Sequence, residues 1–327
     1  MKVCIYGAGA IGGTIAARLA LSGVEPSIVA RGAHLAAIKA KGLRFDTPQT
    51  SRDVRIAATD DPATLGPQDV VIAAVKAHQL PALARPLRHL LNPGTMVVYA
   101  VNGIPWWYFH KAGGQWDGRR LERLDPGGVL WDEVGVDRTI GCVVNLPGVV
   151  TEPGVVRYEG GNNRLALGEL GGEQSPRLTA LAEMIRAAGI QIDTHRPIRF
   201  EVWNKLVVIM VASPIAILTA MPTGPAIRDP ATREVARRCW QEANAVAAAF
   251  GFELDADIDA RLDQWAKGGH HRPSILQDLD AGRPLEIDPQ ITVPLHLAHD
   301  AGVLVPTLDM LAGLMRARAR AAGLYGG

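Results

Sequence analysis

Cysteine is scarce in this chain. Cys4, Cys142 and Cys239 are the three in 327 residues, far apart and odd in number, which argues against a disulfide framework or a Cys-based zinc site and for a reducing compartment. An excess of charge of one sign is also missing. Lys and Arg total 34 against 33 Asp and Glu, a formal net charge of +1, so the electrostatic footprint of a nucleic-acid or anionic-membrane binder is absent. The most apolar stretch, Leu206 to Met221, is interrupted by Ser213-Pro214 and falls short of the roughly 20 residues that span a bilayer. Met1-Lys2 runs straight into Val3-Cys4-Ile5-Tyr6, too short an apolar run for a signal-peptide core. Internal repeats and low-complexity tracts are lacking too. These absences lead to the expectation of a soluble, cytoplasmic protein with no nucleic-acid and no membrane partner.

What is present is the composition of an ordinary folded protein, 48% hydrophobic and 20% charged. At about 150 residues per domain the length suggests two domains. The first half alternates β-rich runs with helical stretches, the mark of a parallel sheet covered by helices. Strands are expected at Lys2–Tyr6, Ser27–Ala30, Asp69–Val75, Thr95–Val101 and Gln191–Thr194, and helices at Ile11–Ser22, His34–Lys41 and Pro176–Ala188. Pro62–Gly66 and Pro81–Leu91 read as helical or loop material. Thr139–Asn145, Val155–Glu159 and Arg164–Leu167 are expected to extend the sheet as antiparallel strands, and Gly114–Asp137 reads as an insertion or long hairpin. After His195 strand signals give way to apolar residues at three-to-four spacing, which places the boundary near Arg196–Pro197. Helices are expected at Arg199–Ala212, Pro230–Phe250, Ala256–Ala266, Pro273–Ala281, Pro289–Ala301 and Thr307–Ala322.

Between the first strand and the first helix lies Gly7-Ala8-Gly9-Ala10-Ile11-Gly12-Gly13. A G-x-G-x-x-G run in that context is a dinucleotide-binding fingerprint. Gly7 permits the tight turn, Gly9 lets the backbone approach a pyrophosphate, and Gly12 lets helix and strand pack closely. The N–H groups at the helix start, around Ala10 and Ile11, then face a negative ligand. About 20 residues on, where an NAD site carries Asp or Glu, the chain has Ala30-Arg31-Gly32. Arg31 is permanently charged and its planar fork suits a 2′-phosphate, so the expected coenzyme is NADP. Lys76, at the end of Asp69–Val75, is placed to reach the same corner.

Glu201-Val202-Trp203-Asn204-Lys205 opens the most apolar helix of the second domain. Glu201 and Lys205, four apart, suit an exposed ion pair. The apolar neighbourhood suggests instead a partly buried lysine with a lowered pKa, as a proton donor to a carbonyl needs. Arg272-Pro273-Ser274-Ile275-Leu276-Gln277-Asp278 and Arg283-Pro284-Leu285-Glu286-Ile287-Asp288 read, taken alone, as a capped helix and a loop. Asn102-Gly103 is either a turn or, at the carboxyl end of a parallel strand, a group facing the coenzyme crevice.

Taken together and in order, the glycine turn with Arg31, Val75-Lys76-Ala77, Asn102-Gly103, Trp203-Asn204-Lys205-Leu206, Ser274 with Leu276-Gln277-Asp278, and Glu286-Ile287-Asp288 resemble the ketopantoate (2-dehydropantoate) reductases over almost the whole length. The resemblance implies an α/β Rossmann-type dinucleotide-binding domain, residues 1–196, followed by an all-α helical domain, residues 197–327, that pairs into a homodimer. It implies NADPH as coenzyme and a small 2-oxo acid as substrate, taken in the cleft between domains. Lys205 becomes the general acid to the carbonyl oxygen and Glu286 the partner of Lys205 or of a substrate hydroxyl. Ser274 would hold the substrate carboxylate, and Asn102 would position the coenzyme and Lys205. The family's usual asparagines four and eight residues after the lysine are Ile209 and Ser213 here, and the usual Asn-Gly after Glu-Ile-Asp is Ile291-Thr292. Lost hydrogen bonds to a hydroxylated substrate cost about 1–3 kcal/mol each, so a bulkier or more apolar oxo compound is expected. Two rival readings share the motifs: an alcohol dehydrogenase running oxidatively, and an NADP-binding sensor without turnover.

Trp106-Trp107-Tyr108-Phe109 reads either as an aromatic lid over the substrate or as core or interface packing. His270-His271 lacks a third ligand at metal spacing, so no metal is expected. Cys142 reads as a core residue in its strand.

Overall fold

A computed structural model of the chain describes all residues except Asp255, Ala256, His270 and Gly327. They divide into two compact units, Met1–Glu201 and Val202–Gly327.

The first unit is organised by an eight-stranded sheet. Its strands, in chain order, are β1 (Val3–Tyr6), β2 (Ser27–Val29), β5 (Ala57–Thr59), β6 (Val70–Ala73), β7 (Met96–Tyr99), β8 (Thr139–Asn145), β11 (Arg164–Glu169) and β12 (Gln191–Asp193). Across the sheet the order is β12-β11-β8-β7-β6-β1-β2-β5. Every pairing is parallel except β8 with β11. Runs such as Val70–Ala73 and Met96–Tyr99 are buried along their whole length, as parallel strands covered on both faces must be. The helices of this unit are α1 (Ala10–Leu21), α2 (Gly32–Lys41), the single turn α3 (Ala84–Leu87) and α4 (Pro176–Ala187).

A second sheet was not anticipated by the sequence. It contains β3 (Leu43–Asp46), β4 (Ser51–Val54), β9 (Gly148–Glu152) and β10 (Val155–Tyr158), in the order β4-β3-β10-β9. Val155–Tyr158 therefore belongs here rather than to the main sheet, and β3, β4, β5 and β9 are additional strands. They are three to five residues long, and Ser51–Val54 is exposed at three of its four positions, so no apolar alternation marks it. The sheet lies against α1: a Cβ on Gly13 would come within 2.6 Å of Val156.

Gly114–Asp137 is not a hairpin but a succession of short turns, with Gly127 and Gly135 at positive φ. It packs on the four aromatics. Trp131 meets Trp106 and His110 edge-on at 6.1 and 5.3 Å. Trp106, Trp107, Tyr108 and Phe109 are all 2% exposed or less, so this quartet is core packing and not a lid.

The two compact units part at Glu201–Val202, inside a helix whose opening turn packs on the first unit. Ile198, the first residue of α5 (Ile198–Thr219), sits over Gly141 of β8 and its partner Gly168 of β11. A Cβ on either glycine would come within 3 Å of it. Arg199 then donates to the carbonyls of Tyr108 (2.7 Å), Leu170 (2.6 Å) and His110. The opening turn of α5 is thereby held in the first unit.

Among the described residues the second unit contains no strand. Beyond α5 it holds α6 (Thr223–Arg228), α7 (Pro230–Ala249), α8 (Ile258–Lys267), α9 (Ser274–Asp280), α10 (Val293–Asp300) and α11 (Pro306–Ala321). Ala256, expected to open α8, lies outside the described residues. The helix expected from Pro289 is present: it opens as a π-helical turn, Asp288–Thr292, that continues directly into α10. Helix α5 runs on through Pro214 for 22 residues, so it is longer than the interruption suggested. By length and hydropathy it could span a bilayer, yet most of its apolar window is buried inside the fold. Trp203 stacks on Phe250 at 5.6 Å to fix one end of this core.

Candidate active site

In the first unit, β1, β2, β6 and β7 are adjacent and parallel, so their carboxyl ends share one edge of the sheet. That edge carries the glycine turn after β1, Arg31 after β2, Lys76 after β6 and Asn102 after β7. The chain order reverses direction across β1, with β2 on one side and β6 on the other. Such a switch point opens a crevice for a ligand.

The turn itself meets each steric demand of a dinucleotide cradle. Gly7 has φ of +104°, and a Cβ there would meet the Ala74 carbonyl oxygen at 2.8 Å. At Gly12 a Cβ would lie 1.9 Å from the Gly7 carbonyl oxygen, so strand and helix can approach only with hydrogen at that position. Gly9 has nothing within 4 Å of its missing side chain: here glycine keeps a surface open rather than relieving a clash. No side chain caps α1 at Gly9, and its first turn, which starts with Ala10 and Ile11, carries no acidic residue. The helix N-terminus is therefore left to an anionic group.

Arg31 is exposed and forms the N-terminal boundary of α2, again without a capping side chain. Lys76 is half-buried, and its backbone N–H donates to Gln79 Oε1 at 3.1 Å. Asn102 is half-buried beside Gly103, whose φ is +92°.

In the second unit Lys205, Ile209 and Ser213 recur every four residues along α5, on one helix face. Lys205 and Ile209 are half-buried and Ser213 is buried. Glu201 is not an exposed residue of α5. Its carboxylate is 3% exposed and meets Arg164 of β11 at 3.0 Å, inside the first unit. Ser274 is exposed at the start of α9, whose Asp278 is buried and accepts from Arg283 at 2.8 Å. Glu286 is 5% exposed. Its segment is anchored by the C-terminus: Leu285 N–H donates to the Leu324 carbonyl at 2.9 Å and the Tyr325 hydroxyl to Asp288 at 2.7 Å. Ile291 is buried.

Two residues escaped the sequence reading. Gln290, 3% exposed, accepts from the Ser213 hydroxyl at 3.3 Å, so the serine eight residues after Lys205 is joined to a second buried polar group. His34 contacts the glycine turn itself, its Nε2 lying 2.7 Å from the Ala8 carbonyl oxygen. Neither belongs to a motif, and only packing reveals them. Among the described residues no three His, Cys, Asp or Glu side chains converge as a metal site requires; His270 lies outside them.

The ketopantoate reductase PanE/ApbA family matches residues 3–106, and its C-terminal domain matches residues 198–319. A 2-dehydropantoate 2-reductase from Mesorhizobium japonicum is 42% identical over 328 residues, 99% of this chain and 100% of the relative. The chain belongs to the ketopantoate reductase family. It is an oxidoreductase of that family, with the Rossmann-type domain and the helical domain that the family implies. A ketopantoate reductase-type structure from Ralstonia solanacearum MolK2 superposes with a TM-score of 0.93 at 38% identity, covering 99% of each chain. The same fold occurs in a D-mandelate dehydrogenase bound to NADH and anilino(oxo)acetate, with a TM-score of 0.82 at 20% identity over 99% of this chain and all of the other.

Proposed function

We propose that this protein reduces the ketone of a 2-oxo acid with NADPH, the first unit binding the coenzyme and the second contributing the acid and the substrate contacts. The single observation that carries the reading is the steric logic of the glycine turn at the sheet's switch point. Arg31 at the end of β2, where an acidic residue would repel a 2′-phosphate, supports NADP over NAD.

When bound, the nicotinamide coenzyme supplies the hydride to the carbonyl carbon. The Lys205 ammonium gives its proton to the carbonyl oxygen, leaving a 2-hydroxy acid and a neutral lysine that is reprotonated from solvent. Placement of Lys205 in an apolar helix supports this role, since partial desolvation favours proton release. Ser274 holds the substrate carboxylate, Glu286 orients Lys205 or a substrate hydroxyl, and Asn102 positions the coenzyme.

Ile209 and Ile291 in place of asparagine favour a 2-oxo acid with an apolar side chain. NADPH oxidation by the purified protein, with ketopantoate beside a panel of apolar 2-oxo acids, tests the reading. Turnover of an apolar member in preference to ketopantoate is expected. Rapid ketopantoate turnover would overturn the apolar preference and leave the reductase assignment standing, whereas no NADPH oxidation with any member would overturn the reductase assignment.

A further inference from the structure

We infer that His34 is a positioning residue for the coenzyme turn: its neutral imidazole ties the Ala8 carbonyl to the Gly154 amide and sets which way the Ala8–Gly9 peptide faces. The inference rests on the dinucleotide-binding role proposed above.

His34 lies in the first turn of α2 and is half-buried. Its two ring nitrogens meet backbone groups 26 residues back and 120 residues ahead. Nδ1 accepts the Gly154 N–H at 2.9 Å, and Nε2 lies 2.7 Å from the Ala8 oxygen. A backbone amide can only donate. Nδ1 must therefore hold a lone pair, and Nε2 carries the proton given to Ala8. Only the neutral ring makes both bonds, because an imidazolium would set a second N–H against that of Gly154. Burial acts in the same sense and lowers the imidazole pKa, against the Ala8 bond, which raises it.

Ala8 stands between Gly7 and Gly9, inside the turn. In a planar trans peptide the carbonyl and the N–H point in opposite directions. With the Ala8 oxygen held on His34, the Gly9 N–H is turned away from the imidazole. The turn thus withdraws a carbonyl dipole from the ligand side and presents an N–H there, as an anion requires. The far anchor is firm. Gly154 has φ of +84° between β9 and β10, a Cβ on it would approach Ala37 of α2 to 2.8 Å, and its own carbonyl accepts the Arg44 N–H at 2.8 Å. His34 therefore braces the turn against the second sheet.

The test compares His34→Phe, which fills the ring's place but makes neither bond, with His34→Gln, which keeps one donor and one acceptor. NADPH dissociation constants are measured by fluorescence titration, and kinetics at saturating coenzyme. His34→Phe is expected to raise the Kd and the KM for NADPH about tenfold with kcat within twofold of wild type, and His34→Gln to recover most of the affinity. A wild-type Kd in His34→Phe would overturn the inference, as would a Kd that holds while kcat falls. Nitrogen-15 spectra of the wild-type imidazole provide a readout independent of any variant. An Nε2–H tautomer at neutral pH is expected, and an Nδ1–H tautomer or an imidazolium would overturn the inference. If the wild type binds neither NADPH nor NADH, the functional reading falls and takes this inference with it. Wild-type binding that His34→Phe leaves unchanged removes the inference alone.

Discussion

The two units carry their candidate groups in different materials. In the first, the groups are largely backbone: a positive φ at Gly7, a close approach at Gly12 and an open face at Gly9. In the second they are side chains on helices and their connections, namely Lys205, Ile209 and Ser213 on α5, Ser274 on α9, Glu286 just before the π-helical turn and Gln290 within it. A backbone site is written in the sequence as glycine spacing, because a side chain there would clash, at Gly7 and Gly12, or cover the open face, at Gly9. A side-chain site on helices has no comparable signature, since lysine and glutamate occur on the surface of almost every helix.

The comparison is most exposed at Lys205. Lys205→Ala is expected to lower kcat by about 10²–10⁴-fold while leaving the Kd for NADPH unchanged, measured by steady-state kinetics and coenzyme titration. Unchanged turnover would mean that the helical unit lacks the acid assigned to it.

The next largest effect concerns a side-chain pair in the first unit. Glu169 is 2% exposed and accepts from Arg177 Nε at 2.7 Å. Burial pushes its carboxyl pKa up, but the bonds from Arg177 and Ser175 outweigh that and hold it below the ordinary range. Arg177→Ala leaves a buried carboxylate without its cation, and a loss of about 3 kcal/mol is expected in chemical denaturation. Because the folded pKa lies below the unfolded one, the Glu169 contribution is complete above the usual glutamate range and is lost as the pH falls through the depressed value. Wild-type stability should therefore decline on acidification more steeply than that of Arg177→Ala.

Arg31→Ala sharpens the account of coenzyme choice. Loss of a charge-assisted contact worth about 1.5–3 kcal/mol should cut the preference for NADPH over NADH roughly tenfold to a hundredfold, read from the ratio of kcat/KM values. Gly9 and Gly12 separate the two uses of glycine and have the smallest expected effects. Gly12→Ala should cost stability, about 1–3 kcal/mol from overpacking, whereas Gly9→Ala should leave the thermal midpoint unchanged and weaken NADPH binding. Equal behaviour of the two variants would show that openness at Gly9 serves no ligand.

Much of this was legible in the residues. The strands at the centre of the main sheet announced themselves as short apolar runs, and Gly23, Gly42 and Gly189, all at positive φ, marked helix ends as glycine does. The second sheet was not legible, because its strands are only four or five residues long and two of them, β4 and β9, are largely exposed, so a period of two has too few positions in which to show. The aromatic run left two readings open, and burial chose between them. The Arg164 contact of Glu201 was not legible either, because spacing along a helix reports only neighbours on that helix, and Arg164 comes from a strand 37 positions earlier in the chain.

The sequence alone determined the fingerprint turn, the basic residue after β2, the all-helical second half and the family these imply. Each depends on local conformation or on a fixed spacing, which the order of residues specifies directly. Tertiary structure decided the seat of Ile198 over Gly141 and Gly168, the Ser213–Gln290 contact and the imidazole brace between Ala8 and Gly154. Each joins segments remote in sequence, and the energy of such contacts exists only after the chain has brought them together.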